Sequence, residues 1–313
     1  MSVQLSQSET LLNSISLAYG ACSHGFAQLH DSYGYVKRGV EEKSFWSTFK
    51  GVKGTFGDDR NNIQASYIRD DFRSWEPIKI SRFSPCASSP ESANHIQCPV
   101  KPTMTSTEKW SYDLDPRYVD YINSNHEVYP LVGQVGSKSK PVFALMGVIA
   151  LPLATAPDNT PVYISFKGTQ GGLGIASVVA GLFGHANPEW NSNCRFSPMP
   201  FPGMTGNVHQ GFYNIYAPMM HEQIVSYLER DVCSKGKIYT KKLYERRIYV
   251  SGHSLGGALA SICALSLAKS GYSRVKLFTL ATPAIGDKEL MKNFERCLPT
   301  GGARQSFHFK GDP

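Results

Sequence analysis

The sequence lacks most of the features that would assign it quickly. Its seven cysteines stand at 22, 86, 98, 194, 233, 263 and 297, with no Cys-x-x-Cys pair among them. An odd and scattered set specifies no disulfide framework. Cys86 and Cys98 flank a Ser/Pro-rich stretch containing His95, but the further ligands a zinc site needs are not evident. A Cys86–Cys98 disulfide is the better expectation there if the protein meets an oxidising compartment. There is no Asn-x-Ser/Thr sequon and no internal repeat. Met1 to Phe26 has no basic n-region, and polar residues interrupt its apolar stretch, so it does not read as a secretory signal. The longest weakly polar stretch, Gly171 to Gly184, is too short and too glycine-rich to span a bilayer. The expectation is a cytoplasmic protein by default, or one exported by a signal-independent route. No Lys/Arg run interleaves with aromatics, which argues against a nucleic-acid partner. Lys and Arg number 32 against 25 Asp and Glu, a net charge of +7. That bias favours an anionic membrane surface or nucleic acid only mildly, and such an excess mostly keeps a protein soluble.

What is present is a core. Hydrophobic residues make up 41% of 313 and charged residues 18%, ordinary for a globular fold. Residues 1 to about 125 carry no recognisable chemistry. Leu11 to Leu29 reads as an amphipathic helix, and Lys43–Phe49 and Tyr67–Trp75 carry scattered aromatics. Pro77 to Pro102 reads as a long loop. Tyr112 to Val128 suggests a helix with Asp115 as N-cap and Pro116 at N1. From Pro141 the pattern changes. Val142–Leu153 and Val162–Phe166 read as strands joined by the turn Ala156–Thr160, hence a hairpin. Asn214–Leu228 has helical spacing of Ile215, Met219, Ile224 and Leu228. Another strand follows at Val275–Leu280, and Ser306–Phe309 reads as the last. Strands alternating with helices predict an α/β sheet.

The most informative segment is Ile248-Tyr249-Val250-Ser251-Gly252-His253-Ser254-Leu255-Gly256-Gly257. A β-branched and aromatic run enters Gly-x-Ser-x-Gly, and a small-residue helix leaves it, with Cys263 as a small core residue. This is the strand, sharp turn and helix of a nucleophile elbow. Gly252 and Gly256 spare a strained turn any side-chain clash. Ser254 would stand at a helix N-terminus, where backbone N–H groups favour a developing oxyanion. The competing reading is an ordinary strand-to-helix turn with a capping serine.

With that elbow, three further blocks in the same order resemble the class 3, or fungal-type, lipases of the α/β-hydrolase fold. They are Tyr163 to Thr169, Val208-His209-Gln210-Gly211-Phe212, and Phe278 to Asp287 with its Pro283-Ala284-Ile285-Gly286 turn. The resemblance implies an α/β-hydrolase-type mixed, mostly parallel sheet flanked by helices over 141–313, incomplete at its C-terminal end. Residues 1–140 would be an N-terminal extension, mostly helix and loop, of unknown role. It further implies Ser254 as nucleophile, the N–H groups of Leu255 and Thr169 as oxyanion hole, and Asp312 as the orienting carboxylate. Gly168 would let the backbone approach the reacting carbonyl. Asp287 is the rival carboxylate. His253, within the elbow, is expected to point away from Ser254, and His209 and His308 read as structural.

The family's catalytic histidine follows its aspartate, whereas this sequence ends at Pro313. The expectation is that the base is absent from these residues because the chain is a truncated form; a natural short protein without the base is the alternative. Gln170 to Phe183 is apolar with glycine hinges and matches the family's lid, which implies transient membrane-surface contact through 170–184. Its competing reading is a buried helix at Ile175–Leu182. Trp190 and Pro198–Pro202 would line an acyl groove. The implied activity is hydrolysis of acylglycerol or phospholipid esters through an acyl-enzyme, with no metal or organic cofactor. The alternatives are an inactive lipid- or protein-binding module, or an acyltransferase.

Overall fold

The computed structural model describes residues 5–32, 62–63, 77, 114–137, 140–168, 197–233, 235–300 and 302–307. The aromatic segments at 43–49 and 67–75, the loop after Pro77, Cys86, His95, Cys98, Thr169, the 170–184 segment, Trp190, His308 and Asp312 lie outside the described residues.

Among the described residues a seven-stranded sheet forms the centre. Its strands are β1 (Asn62–Ile63), β2 (His126–Ser137), β3 (Lys140–Pro152), β4 (Val162–Phe166), β7 (Ile248–His253), β8 (Val275–Leu280) and β9 (Arg304–Phe307). β4, β7, β8 and β9 are successive parallel neighbours, while β1, β2 and β4 each pair antiparallel with β3. Only β3 therefore runs against the rest, giving the mixed, mostly parallel sheet that the resemblance implies. A separate two-stranded ribbon joins β5 (Pro198–Pro200) to β6 (Asn207–His209).

The strands read as near-continuous apolar runs because both faces are covered. Val162, Ile164 and Phe166 of β4, Ile248 and Val250 of β7, and Leu277 of β8 share one core. That core is roofed by helices α3 (Gln210–Tyr216), α4 (Met220–Leu228), α5 (Leu255–Lys269) and α6 (Lys288–Cys297). Tyr163, Tyr249 and Phe278 alternate to the opposite face, where α1 (Gln7–Ser32) and α2 (Pro116–Asn125) cover them. α1 begins with a capping box: Glu9 N–H donates to Ser6 Oγ, and Ser6 N–H to Glu9 Oε2. Its buried residues Leu11, Ser14, Ile15, Ala18 and Tyr19 follow helical spacing. α2 starts as expected, with Asp115 accepting from Arg117 N–H and Pro116 in the first turn.

Two expectations need correction. The boundary at residue 140 falls between two strands that pair from His126↔Pro152 to Ser137↔Lys140. Residues 126–137 therefore belong to the sheet, and the helix expected to reach Val128 stops at Asn125. Buried Gln223 stitches the bulge at Leu131/Val132, accepting from Val132 N–H and donating to Val132 O. The helix expected over 214–228 is two helices, divided at Ala217–Met219. Pro218 lies in that break, lacks an N–H and cannot continue a helical ladder.

Candidate active site

The parallel register brings Phe166, Gly252, Thr279 and Ser306 level, with His253, Leu280 and Phe307 one step beyond. Lys167-Gly168, Ser254 and Ala281 therefore emerge side by side at the carboxyl edge of the sheet. That edge is where open parallel sheets bind ligands.

Ser254 has φ 53° and ψ −125°. The only other positive-φ residue besides glycines, among those described, is Ala281 at 46°. Both terminate adjacent strands, so the local backbone strain gathers at one edge. The turn is held by Ser254 N–H donating to Leu280 O at 2.9 Å, and by Gly257 and Ala258 N–H donating to Ser254 O. The Ser254 side chain makes no capping hydrogen bond to α5. This weighs against the capping-serine reading and leaves the hydroxyl at the positive end of a fifteen-residue helix. Leu255 is the first residue of that helix, where an N–H has no intrahelical acceptor.

The glycines permit the close approach. A Cβ on Gly252 would collide with Gly256 O, and one on Gly256 would stand 2.5 Å from Lys167 O, besides striking Phe166 O. The α5 N-terminus is thus pressed against the end of β4. A Cβ on Gly168 would meet His253 O at 2.7 Å. Gly168 is therefore required for contact with the elbow and with Tyr19.

His253 is turned toward α1, where its Nδ1 lies 2.8 Å from the Tyr19 hydroxyl. The same hydroxyl accepts from Gly168 N–H at 2.8 Å. Sequence reasoning missed Tyr19. The only signal was its place eight residues after Leu11 on the apolar stripe of a helix whose docking surface was unknown. His209 caps α3, its Nδ1 accepting from Gly211 N–H at 3.1 Å, and burial holds its pKa down. His221 Nδ1 pairs with the Tyr216 hydroxyl at 3.0 Å, and burial lowers it too. His126, with Nε2 2.9 Å from Pro161 O, is pushed down to about 4 by burial. It sits beside the opening of β4, at the far end of the sheet from Ser254. Cys263 is a core residue on α5, its thiol pushed up to about 12 by burial.

Asp287 is occupied structurally. It caps α6 by accepting from Leu290 N–H at 2.8 Å, and it accepts from Asn207 N–H and Nδ2. These hydrogen bonds, Leu290's first, hold its carboxyl below the usual range. That duty leaves it poorly placed to orient a histidine. β9 lies beside β8, with Ala281 N–H donating to Phe307 O at 2.8 Å, so Phe307 stands at the same edge of the sheet as Ser254. Asp312 itself lies outside the described residues. Among the described residues no group of three His, Cys, Asp or Glu could hold a metal, and no helix is long and apolar enough to cross a membrane.

Comparison with known proteins gives a consistent set. Residues 163–309 match the family described as Lipase (class 3). The chain is similar to "Lipase" of Rhizomucor miehei, 33% identical over 104 residues, covering 32% of this chain and 26% of that protein. It is similar to "Phospholipase A1-IIgamma" of Arabidopsis thaliana, 29% identical over 158 residues, covering 42% and 37%. The match thus spans well under half the length of either relative. Among solved structures, the mono- and diacylglycerol lipase from Aspergillus oryzae is 18% identical at a TM-score of 0.39, covering 61% of this chain and 57% of that one. Residues 163–309, a little under half of the chain, are thus similar to the class 3 lipases.

Proposed function

We propose that the chain is a serine ester hydrolase acting on acylglycerol or phospholipid esters. The observation that carries this reading is Ser254, strained at positive φ, uncommitted to capping, and set at the N-terminus of α5 beside the loop after β4. Its hydroxyl would attack the ester carbonyl, the alcohol would leave, and water would release the acid from the acyl-enzyme. The Leu255 N–H would donate to the tetrahedral oxyanion, with the Thr169 N–H as second donor. Each such donor is worth about 3 kcal/mol of transition-state stabilisation. Asp312 would orient the base. Each of His126, His209, His221 and His253 has a ring nitrogen engaged elsewhere, so the reading assigns the base to none of them. The names of the relatives, a lipase and a phospholipase A1, support lipid esters as the substrate class. The 170–184 segment would contact the lipid surface.

The test is covalent labelling of the 313-residue chain by a fluorophosphonate, with Ser254→Ala as control, alongside hydrolysis of short- and long-chain nitrophenyl esters. Labelling lost in the control, with turnover of the long-chain ester, supports the reading. A chain that neither labels nor turns over ester but binds lipid vesicles would instead be a binding module.

A further inference from the structure

We infer that Tyr19 is a positioning residue of the Ser254 site, and that α1, which precedes the matched segment, is part of the site's supporting structure. The inference rests on the reading of Ser254 as nucleophile. Tyr19 is 1% exposed. Its hydroxyl touches both loops that form the site: it accepts from Gly168 N–H and shares a hydrogen bond with His253 Nδ1, each at 2.8 Å. Gly168 lies beyond the last pairing of β4, where Lys167 N–H still donates to Met146 O. Its own N–H is buried, and the phenol oxygen satisfies it. On the other side, the bond to His253 fixes the residue immediately before Ser254. A single hydroxyl thus ties the β4 loop to the elbow. A side chain at 168 is excluded, because its Cβ would strike that hydroxyl and stand 3.2 Å from His253 Nδ1.

The hydroxyl is itself rigidly held. Leu11, Ile15, Leu17 and Ala18 anchor α1 in the core beneath the sheet. Ser14 Oγ bonds Ser165 Oγ of β4, and Ser165 Oγ bonds Ser251 Oγ of β7 at 2.8 Å. These hydroxyls register the helix against the two strands whose ends carry the site. Preorganised donors depend on such support, because a site loosened by an ångström loses most of its advantage.

The experiment compares Tyr19→Phe with the unmodified 313-residue chain, using Ile15→Val on the same helix as a packing control. The maximal rate of fluorophosphonate labelling at Ser254 should fall about tenfold in Tyr19→Phe. The probe concentration giving half-maximal rate should stay within twofold. Ile15→Val should lower the unfolding temperature without slowing labelling. A maximal rate within twofold of the unmodified chain, or a loss that tracks unfolding temperature in both variants, would overturn the inference. If the unmodified chain does not label, the nucleophile reading fails, and the clamp is judged by hydrogen exchange. The Gly168 amide should then exchange at least tenfold faster in Tyr19→Phe, and unchanged protection would refute the clamp.

Discussion

Gly256→Ala probes the contact on which the site geometry depends. In isolation alanine is the better residue, since a helical Gly→Ala change gains up to about 1 kcal/mol. Here the added Cβ would stand 2.5 Å from Lys167 O, against 3.4 Å for ordinary contact, and would also strike Phe166 O. Both obstacles are backbone, and neither can rotate away. The helix and the β4 loop must separate by roughly 0.9 Å in a close-packed interior with little slack. Overpacking of this kind costs about 1–3 kcal/mol, and the upper end applies because Lys167 N–H is bonded to Met146 O and Gly168 N–H to Tyr19. The net expectation is a loss of about 2 kcal/mol, read from urea unfolding. The separation falls between the α5 N-terminus, which carries the proposed donor Leu255, and the end of β4 at Phe166-Lys167. A misplacement near 1 Å costs about 10²-fold in reactivity, so labelling of Ser254 should slow by about that factor. Gly302→Ala is the control, since a Cβ there meets nothing within 4 Å and should change stability by under about 0.5 kcal/mol. A Gly256→Ala chain as stable and as reactive as the parent would refute the reasoning.

Ser254→Gly should be more stable than Ser254→Ala by about 1 kcal/mol, because glycine alone occupies φ 53° without strain; identical thermal melts would remove the strain argument. Gln223→Leu should cost about 2–4 kcal/mol by leaving Val132 N–H and C=O unsatisfied in the interior, and a urea-derived loss below 1 kcal/mol would sink that assignment. Burial lowers the His126 pKa from 6.5 to about 4, so between these values the unfolded chain binds the extra proton. The contribution of His126 to stability should therefore fall by about 3 kcal/mol as pH drops through that window, and that contribution levels off below it. His126→Gln should flatten the profile, leaving the smaller slope due to His209 and His221, whose pKa values are also lowered.

The strands were legible where local pattern and burial agree. β4 and β7 are apolar throughout because both faces are covered, and the elbow announces its turn through Gly252 and Gly256. β2 was not legible. Glycines at 133 and 136 and Pro130 blur its alternation, and its bulge is stabilised by Gln223, ninety-one residues away. Pro218 was visible, but the spacing of Ile215, Met219, Ile224 and Leu228 carried across it because α3 and α4 bury adjacent stripes. The nucleophile's surroundings divide in the same way. Ser254 and its glycines are specified within six residues of sequence. Tyr19 reaches the elbow at His253 across 234 residues, a contact that no local pattern encodes.

The matched segment begins at residue 163, yet its underside is completed by what precedes it. Removing residues 1–32 would delete four large buried side chains, Leu11, Ile15, Leu17 and Tyr19, and uncover Tyr163, Tyr249 and Phe278. At about 1.5–3 kcal/mol each, the four alone amount to roughly 6–12 kcal/mol. That matches the whole margin of an ordinary domain, about 5–15 kcal/mol. Ser165 would also lose its Ser14 partner, and Gly168 N–H its acceptor. The shortened chain should therefore show no cooperative urea transition under conditions where the 313-residue chain does, and its near-ultraviolet dichroism should collapse. A shortened chain with a cooperative melt and native dichroism would mean that α1 is an appendage rather than one wall of the core. The site at Ser254 would then be built by the matched segment alone.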